Sequence, residues 1–251
     1  MLKVVPGESA LVHKDGDSAT LLVSDLHLGL EKEMARKGFR IPPYSMRMLD
    51  RIKAISDRTK MDRIVVVGDV KHSIGKVEDL DWSILPWFFD TLLDIFPVVE
   101  VVPGNHDGGI RSLLPNRVKL HPSEGTVIGG REKVGVAHGH SWPSEQVISS
   151  KRIVMGHSHF RYEMRDRFGS RSKEAVWLFA KYDVAGLLVK AGYRPIKKGE
   201  GKLAVMPPFN NLVGGQAINV KGGLKFGPIL SSGTVDVSDA DMFLLDGTRV
   251  G

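Results

Sequence analysis

The sequence contains no cysteine among its 251 residues. Disulfide bonds, thiolate metal ligands and a cysteine nucleophile are therefore excluded. A metal ion in this protein must be held by nitrogen and oxygen atoms, which suits hard or borderline divalent ions. The sequence also lacks internal repeats, low-complexity tracts and the spacing of a phosphate-binding P-loop.

Long apolar runs are absent as well. No stretch of the sequence approaches the roughly 20 apolar residues of a membrane span. The N-terminal stretch carries charged residues early and has no long apolar core, so we expect no signal peptide. These features predict a cytoplasmic protein without a membrane partner.

What is present is an ordinary globular composition with an excess of positive charge. Hydrophobic residues make up 42% and charged residues 25% of the chain, and its length suits one domain over residues 1–251. The net charge of +6 and the pI near 9.4 favour an anionic partner, such as nucleic acid or a phosphorylated small molecule. Many soluble proteins are basic without a specific partner, so charge alone identifies no ligand.

The first half of the chain alternates apolar β-branched runs with helical patterns. Buried strands are predicted within residues 19–29, 62–72 and 97–107, and helices within residues 41–59 and 79–96. Strands that alternate with helices indicate parallel β-α-β units, whose functional residues lie beyond the carboxyl ends of the strands. In the first helix we expect the buried face to consist of Met46, Leu49, Ile52 and Ile55.

After residue 115 the pattern changes to short strands separated by turn residues. Little helix is predicted there. We therefore predict an α/β fold of mixed type, in which two packed sheets have helices on the outside.

Metal-ligating residue types follow five of the predicted strands. Just past each strand stand one or two residues of the types Asp, Asn and His, and most of these groups have a glycine nearby that lets the backbone turn sharply. The groups are Asp25 and His27, Asp69, Asn105 and His106, His138 and His140, and His157 and His159.

The pair His157 and His159 shows why such a group can bind a metal. In extended backbone, residues two apart share a face and lie about 6.8 Å apart, so both imidazoles can enter one pocket. Taken alone, the pair is equally well explained as two surface histidines at the end of a strand. The five groups together are not explained in that way.

The donor set predicts a two-metal site. Imidazole, carboxylate and amide oxygen are the ligands of Zn, Mn and Fe in catalytic sites without thiolates. The candidates outnumber the ligands that one ion needs, and two ions about 3.5–4 Å apart require a bridging carboxylate. Asp69 stands alone at the end of the central strand and is the natural bridge.

The ordered motifs D-x-H, G-D, G-N-H-D, H-G-H and G-H-S-H over residues 24–159 resemble the calcineurin-like metallophosphoesterase superfamily. This resemblance implies a four-layer α-β-β-α sandwich. It also implies two divalent ions, for which Mn²⁺ is expected first and Fe, Zn or Ni are compatible. Hydroxide held between the ions would attack the phosphate, and His106 would face the substrate as a catalytic residue. The first ion is expected on Asp25, His27, Asp69 and His159, and the second on Asp69, Asn105, His138 and His157.

Two further features of the sequence narrow the activity that is expected within this superfamily. Protein Ser/Thr phosphatases carry G-D-x-x-D-R-G and G-N-H-E where this chain has GDVKH and GNHD, which argues against that activity. The stretches HGHSWP (138–143) and PPFNNLVGG (207–215) are similar to predicted phosphoesterases grouped with ligase-associated DNA damage response endonucleases. Phosphodiester hydrolysis in nucleotides, DNA or RNA is therefore expected.

Other polar residues have open roles. Lys71, His72 and His140 are candidates for substrate binding, although the first two also fit a solvated loop and His140 also fits a residue that orients a ligand. The stretches 165–173 and 193–202 mix basic residues with one aromatic residue, as nucleic-acid grooves do, but solvated hairpin tips explain them too. Asn210 and Asn211 fit simple turn residues. The oligomeric state is open, and a homodimer is compatible with the sequence.

Two classes of function fit these motifs. The first is a dinuclear phosphoesterase. The second is a catalytically silent module that binds phosphate or nucleic acid on the same fold. Loss of ligand positions would indicate the second class, and every expected position carries a ligating residue here.

Overall fold

The computed structural model describes most of the chain. The described ranges are 1–58, 60–75, 77–195, 198–220 and 227–251. Thr59, at the end of the first predicted helix, and residues 196–197 of the basic stretch 193–202 lie outside these ranges.

Within the described residues, six strands form a first mixed sheet in the order β1-β2-β3-β4-β5-β6. The pairs β1–β2 and β2–β3 are antiparallel, and β3 to β6 run parallel. The strands are β1 (Leu2–Val4), β2 (Ala10–Asp15), β3 (Ser18–Ser24), β4 (Arg63–Val67), β5 (Val98–Val102) and β6 (Lys119–Leu120).

The remaining strands of the described chain form a second mixed sheet. Its main path is β13-β10-β11-β12-β9-β8-β7, and β14 and β15 extend it beside β11. The pairs β8–β9 and β9–β12 are parallel, whereas β7–β8, β10–β11 and β11–β12 are antiparallel. The strands are β7 (Thr126–Ile128), β8 (Val134–Val136), β9 (Arg152–Met155), β10 (Phe160–Arg165), β11 (Arg171–Asp183), β12 (Glu200–Val205), β13 (Gln216–Ala217), β14 (Asp241–Leu244) and β15 (Arg249–Val250).

Helices cover the outer faces of both sheets. Apolar side chains of α2 and α3 pack on the first sheet, and those of α4, α5 and α6 pack on the second. The helices are α1 (Leu30–Arg36), α2 (Tyr44–Arg58), α3 (Asp81–Ile95), α4 (Glu145–Ser149), α5 (Val184–Lys190) and α6 (Pro228–Ser231), and a short 3₁₀ turn spans Ile110–Ser112.

A third apolar layer lies between the two sheets. It combines side chains of the first sheet, such as Leu22 and Val65, with side chains of the second, such as Val154 and Trp177. In β4, Val65 faces this layer, whereas its neighbours Ile64 and Val66 face the helices. This alternation follows the period of two in a strand and explains why the run is apolar on both faces. The predicted α/β fold with two mixed sheets and outer helices is confirmed.

The buried face of α2 differs from the prediction. Met46 is 55% exposed, and Met48 takes its place beside Leu49, Ile52 and Ile55. Residues three apart advance by about 300° around a helix, so each step falls about 60° short of a full turn. After three such steps Met46 and Ile55 lie on opposite sides of α2, and only one of them can be buried.

The sheet topology brings the carboxyl ends of the central parallel strands together at one end of each sheet. In the first sheet, β3, β4 and β5 run parallel and end at Ser24, Val67 and Val102. In the second sheet, β8 and β9 run parallel. The loops that follow these strands carry the polar groups singled out in the sequence. None of the described helices is long and apolar enough to cross a membrane.

Candidate metal centre

The polar groups from the two sheets meet at one place. Asp25 of the first sheet lies 3.1 Å from His159 of the second, measured from Oδ1 to Nε2. The Asp69 Oδ1 atom lies 3.3 Å from His138 Nε2. Loops from both sheets therefore build a single cluster.

One set of four side chains can hold an ion. Asp25, His27, Asp69 and His159 each offer one ligand atom, and these atoms all lie within 4.8 Å of one another. The first three residues are buried, and His159 is partly buried. These are the four residues expected around the first ion.

A second set shares Asp69 with the first. Ligand atoms of Asp69, His138 and His157 also lie within 4.8 Å of one another. Asn105, expected as a further ligand here, is exposed, but its neighbours contact Asp69. The backbone N–H of His106 donates to Asp69 Oδ1 at 3.0 Å, and Gly104 packs directly against that carboxylate. The structure thus brings the sequence-predicted ligands together around Asp69, while metal coordination by these residues, and by Asn105 in particular, remains a prediction.

Three imidazole nitrogens in the cluster are buried and make no hydrogen bond of good geometry, although two of them face a carboxylate oxygen at 3.1–3.3 Å: Nε2 of His27, His138 and His159. A buried polar atom without a partner costs about 1–3 kcal/mol. In His138 the other ring nitrogen, Nδ1, donates to the Val67 carbonyl at 3.2 Å, which directs Nε2 to the cluster. A cation between these nitrogens and the carboxylates would satisfy all of them, so the residues present fit divalent metal ions.

Burial and charge set the protonation of the ligands. Burial lowers the pKa of His27 to about 3 and, together with His138, that of His157 to about 4, so both are neutral near pH 7 and can donate a lone pair. Burial opposes ionisation of Asp69, but His138 and His27 outweigh it and hold its pKa below the ordinary range. His138 responds in the opposite way: burial alone would lower its pKa, but Asp69 and Asp25 raise it to about 9. The carboxylates therefore attract positive charge into this centre.

The backbone of the cluster adopts an uncommon conformation. Five of the expected ligands have positive φ angles between 42° and 66°. Each such residue costs about 1–3 kcal/mol, and strain of this kind concentrates at functional sites. Asp and His tolerate the left-handed region better than most residues, which suits their position at sharp turns after strands. The five residues are Asp25, His27, Asp69, His157 and His159.

Two glycines make room for the ligands. A Cβ atom at Gly104 would lie 2.2 Å from Asp69 Oδ1, and one at Gly68 would lie 2.0 Å from His138 Nδ1. Gly68 also has a φ of 72°, which L residues rarely adopt. The glycines of the G-D and G-N-H-D motifs are therefore required by close approach.

His106 lies at the border of the cluster. Its Nδ1 is 2.7 Å from the His72 carbonyl, which can only accept, so Nδ1 carries the proton and Nε2 is left free. That Nε2 lies 3.8 Å from Asp69 Oδ2, and the side chain is 15% exposed. A free ring nitrogen with access to solvent is the arrangement expected of a residue that faces a substrate.

His72 belongs to a hydrogen-bonded chain that reaches His27. Its Nε2 is 2.7 Å from Glu33 Oε2, and its Nδ1 is 3.4 Å from Nδ1 of His27. Because a carboxylate only accepts, neutral His72 donates from Nε2 and accepts at Nδ1. His27 then donates from Nδ1 and keeps its Nε2 lone pair for the cluster. Glu33 was not indicated by the sequence, since it lies on α1, outside every motif.

Lys71, a candidate for substrate binding, lies inside the turn that follows β4. It is fully buried, and its Nζ donates to the carbonyl of Ser73 at 2.6 Å. In this structure the lysine holds the turn after β4 and is not presented at the surface. His140 is partly buried beside the second ligand set, with ring centroids 5.3 Å from His138 and 6.2 Å from His157. Burial and the neighbouring His138 lower the pKa of His140.

Two buried residues support the cluster although the sequence motifs do not single them out for that role. One of them, Asn210, donates from Nδ2 to the Leu26 carbonyl at 2.8 Å and accepts from the Leu212 N–H at 2.9 Å. It therefore fixes the strained turn that carries Asp25 and His27. The only signal was its place in the PPFNN stretch, where it fits an ordinary turn residue equally well.

The other, Asp107, joins two of the ligand loops. Its carboxylate accepts from the backbone N–H of Val70 at 2.9 Å and from that of Gly104 at 2.7 Å. Burial raises the pKa of this carboxyl to about 6. Asp107 ties the loop after β4 to the loop after β5, and its position at the end of GNHD was the available signal.

Comparison with known proteins places this cluster in the context of a family. A family model described as calcineurin-like phosphoesterase matches residues 19–193. No curated protein matches the sequence significantly. Among solved structures, the Pseudomonas putida nuclease MPE is similar at a TM-score of 0.50 and 13% identity over 100% of both chains. The E. coli phosphoesterase YfcE is similar at a TM-score of 0.40 and 12% identity over 92% of this chain and 96% of that chain.

The likeness to MPE, at such low identity, shows a shared fold. The family model is stronger evidence for family membership, because it spans more than half of the chain and includes every strand end that supplies the cluster. This chain therefore belongs to the calcineurin-like phosphoesterase family.

Proposed function

We propose that this protein is a dinuclear metal-dependent phosphodiesterase that acts on nucleotides or nucleic acid. The observation that carries the proposal is the position of Asp69, which belongs to two overlapping ligand sets. A carboxylate shared in this way is what a pair of closely spaced divalent ions requires.

The residues of the two sets would divide between the ions. Asp25, His27 and His159 would hold the first with Asp69, and His138 and His157 would hold the second with Asp69 and Asn105. When bound, the ions would neutralise phosphoryl oxygens and lower the pKa of a coordinated water. The donor set is compatible with Mn²⁺, Fe, Zn and Ni, and we propose Mn²⁺ as the first ion to test.

His106 would act on the substrate itself. Its Nδ1–H donates a hydrogen bond to the His72 carbonyl, so the ring is held in one orientation with Nε2 free. When protonated, Nε2 can donate to a phosphoryl oxygen or give its proton to the departing alkoxide. Catalysis by a positioned acid of this kind contributes about 10²–10⁴-fold.

The choice of phosphodiesters rests on the motifs and on charge. The chain differs from protein phosphatases at GDVKH and GNHD, and its net charge of +6 suits a polyanionic substrate. The nuclease MPE, which shares the fold, supports the same choice.

Metal analysis and a model ester test the proposal together. After saturation with Mn²⁺ and removal of free ion, we expect two ions per chain by elemental analysis. Hydrolysis of bis-p-nitrophenyl phosphate should disappear with chelator and return with Mn²⁺. One ion per folded chain would refute the dinuclear site, and full turnover after metal removal would refute the metal mechanism. Full metal loading without turnover of any ester would indicate a silent binding module instead.

A further inference from the structure

The β10–β11 hairpin, residues 160–175, is an extension of the candidate metal centre. Strand β10 begins at Phe160, directly after His159. The two strands pair from Arg161 with Ala175 to Arg165 with Arg171. At about 3.4 Å per residue, this paired segment is roughly 17 Å long. The hairpin therefore leads from the cluster to a tip well away from it.

The outer part of the hairpin extends beyond the rest of its sheet. Among the described residues, β13 pairs with β10 only at residues 160–161, and β12 and β14 pair with β11 only from residue 176 onward. An isolated two-stranded ribbon is marginally stable in water. Here Asn219 supports it, since its side chain makes two hydrogen bonds of 2.8 Å with the backbone of Glu163.

One face of the hairpin is strongly basic. Residues directly opposite in an antiparallel pair share a face, and so do alternate residues along each strand. Glu163 is the single acidic residue on this face, and it lies 3.2 Å from Arg165 and 3.7 Å from Arg171. Those two arginine side chains are each 59% exposed. The four positive residues of the face are Arg161, Arg165, Arg171 and Lys173.

The tip presents an aromatic ring to solvent. Phe168 is 81% exposed, more than any other large hydrophobic residue in the described chain. The guanidinium of Arg167 lies 4.8 Å from the centre of its ring. Asp166, the acidic residue of the turn, uses its side chain to accept from the Phe168 and Ser170 N–H groups. The turn is thus built so that it displays an aromatic ring and a cation together.

We infer that the 160–175 hairpin binds single-stranded nucleic acid and guides it to the metal centre. Proteins that bind single strands usually combine a basic surface along the nucleic-acid backbone with an exposed aromatic ring on which a base stacks. This inference rests on the proposed function, because it takes a strand cleaved at the cluster as the occupant of the hairpin.

Matched variants test the hairpin through binding. The probe is fluorescein-labelled (dT)20, measured by anisotropy with the full chain in chelator, where no cleavage can occur. Phe168→Leu keeps an apolar tip but removes the ring, and we expect about tenfold weaker binding. Phe168→Tyr keeps the ring and should bind like the wild type. The double variant Arg165→Gln/Arg171→Gln should lower the slope of log Kd against log salt by about 1.4.

A control variant distinguishes the hairpin from basic surface elsewhere on the protein. Arg249→Gln removes an arginine on β15 whose side chain is 69% exposed, and its binding should be unchanged. With Mn²⁺, all variants should hydrolyse bis-p-nitrophenyl phosphate at the wild-type rate, because that ester does not reach the hairpin.

The outcomes are distinguishable. Equal binding by wild type and Phe168→Leu, or equal loss in Arg249→Gln, would overturn the inference. Sedimentation offers a second contradicting outcome. If the wild type is a dimer that Phe168→Leu dissociates while DNA binding stays the same, the hairpin binds a second copy of the chain and the inference is wrong. If the wild type binds (dT)20 through the hairpin but hydrolyses no ester, the proposed function fails and the hairpin assignment stands.

Discussion

The Asp69 carboxylate accepts a hydrogen bond of 3.0 Å from the backbone N–H of His106. The residue shared by both ligand sets therefore also positions the main chain of the residue expected to face the substrate. Their side chains nevertheless have different environments, because Asp69 is buried among the candidate ligands and His106 has access to solvent. Substitutions at the two positions should separate metal binding from catalysis.

Asp69→Asn should release metal, since a neutral amide cannot serve two cations. The stability that bound metal adds by mass action should disappear with it. His106→Asn should keep two ions and an unchanged Tm with Mn²⁺, but turnover should fall by about 10²–10⁴-fold. Esters with good leaving groups, such as nitrophenol, should be affected less than nucleotide esters. If metal content is lost in His106→Asn as in Asp69→Asn, His106 is a ligand and the division of roles is wrong.

Asn210→Ala should weaken metal binding without removing a ligand. The substitution leaves the Leu26 carbonyl and the Leu212 N–H without their partner, and the loss costs about 1–3 kcal/mol for the buried carbonyl. The strained turn at Asp25 and His27 would then relax. We expect about a tenfold weaker Mn²⁺ affinity by calorimetry. The neighbouring Asn211 is exposed and offers a matched control, and equal effects in Asn211→Ala would contradict the assigned role.

Gly104→Ala should disrupt the centre by steric conflict alone. The new Cβ would lie 2.2 Å from Asp69 Oδ1 and 2.3 Å from the Asp69 backbone nitrogen, and the latter cannot move freely. The expected result is a metal content well below two ions per chain in folded protein. Gly214→Ala is the control, because no atom lies within 4 Å of its Cβ position. Normal metal content in Gly104→Ala would show that the close contact between residue 104 and Asp69 tolerates a methyl group, which would contradict the prediction.

The stability of metal-free protein should depend on pH through His138. Its pKa is raised from 6.5 to about 9 in the folded state, so the folded state binds the proton more tightly than the unfolded chain. The resulting stabilisation is fully present below pH 6.5 and is lost as pH rises through 9. Tm measured with chelator should therefore fall between pH 6.5 and 9, whereas with saturating Mn²⁺ this decline should disappear. A flat profile in chelator would contradict the charged state of His138.

Much of the architecture could be predicted because it follows from local pattern. The β-branched runs that end at Ser24, Val67 and Val102 predict parallel strands, and parallel strands bring their carboxyl ends to one edge. The proximity of Asp25 and Asp69 follows from that topology. Their roles as metal ligands remain predictions.

Other features depend on contacts that no local pattern contains. Asn210 holds a carbonyl 184 residues away in sequence, and the PPFNN stretch gives no sign of this. Lys71 follows Asp69 and fits a substrate contact by position, yet its ammonium group bonds to Ser73 within the same turn. The prediction for Met46 is wrong because regular three-residue spacing looks like a helical face but rotates around the helix.

The cluster draws Asp25 and Asp69 from one sheet and His138, His157 and His159 from the other. Ions held there would fasten the two sheets together at one edge, in addition to the apolar layer between them. Assembly of the centre and docking of the sheets would then be one cooperative step, which neither half of the chain can complete alone. Metal uptake during refolding should accordingly report when the N-terminal and C-terminal halves first come together.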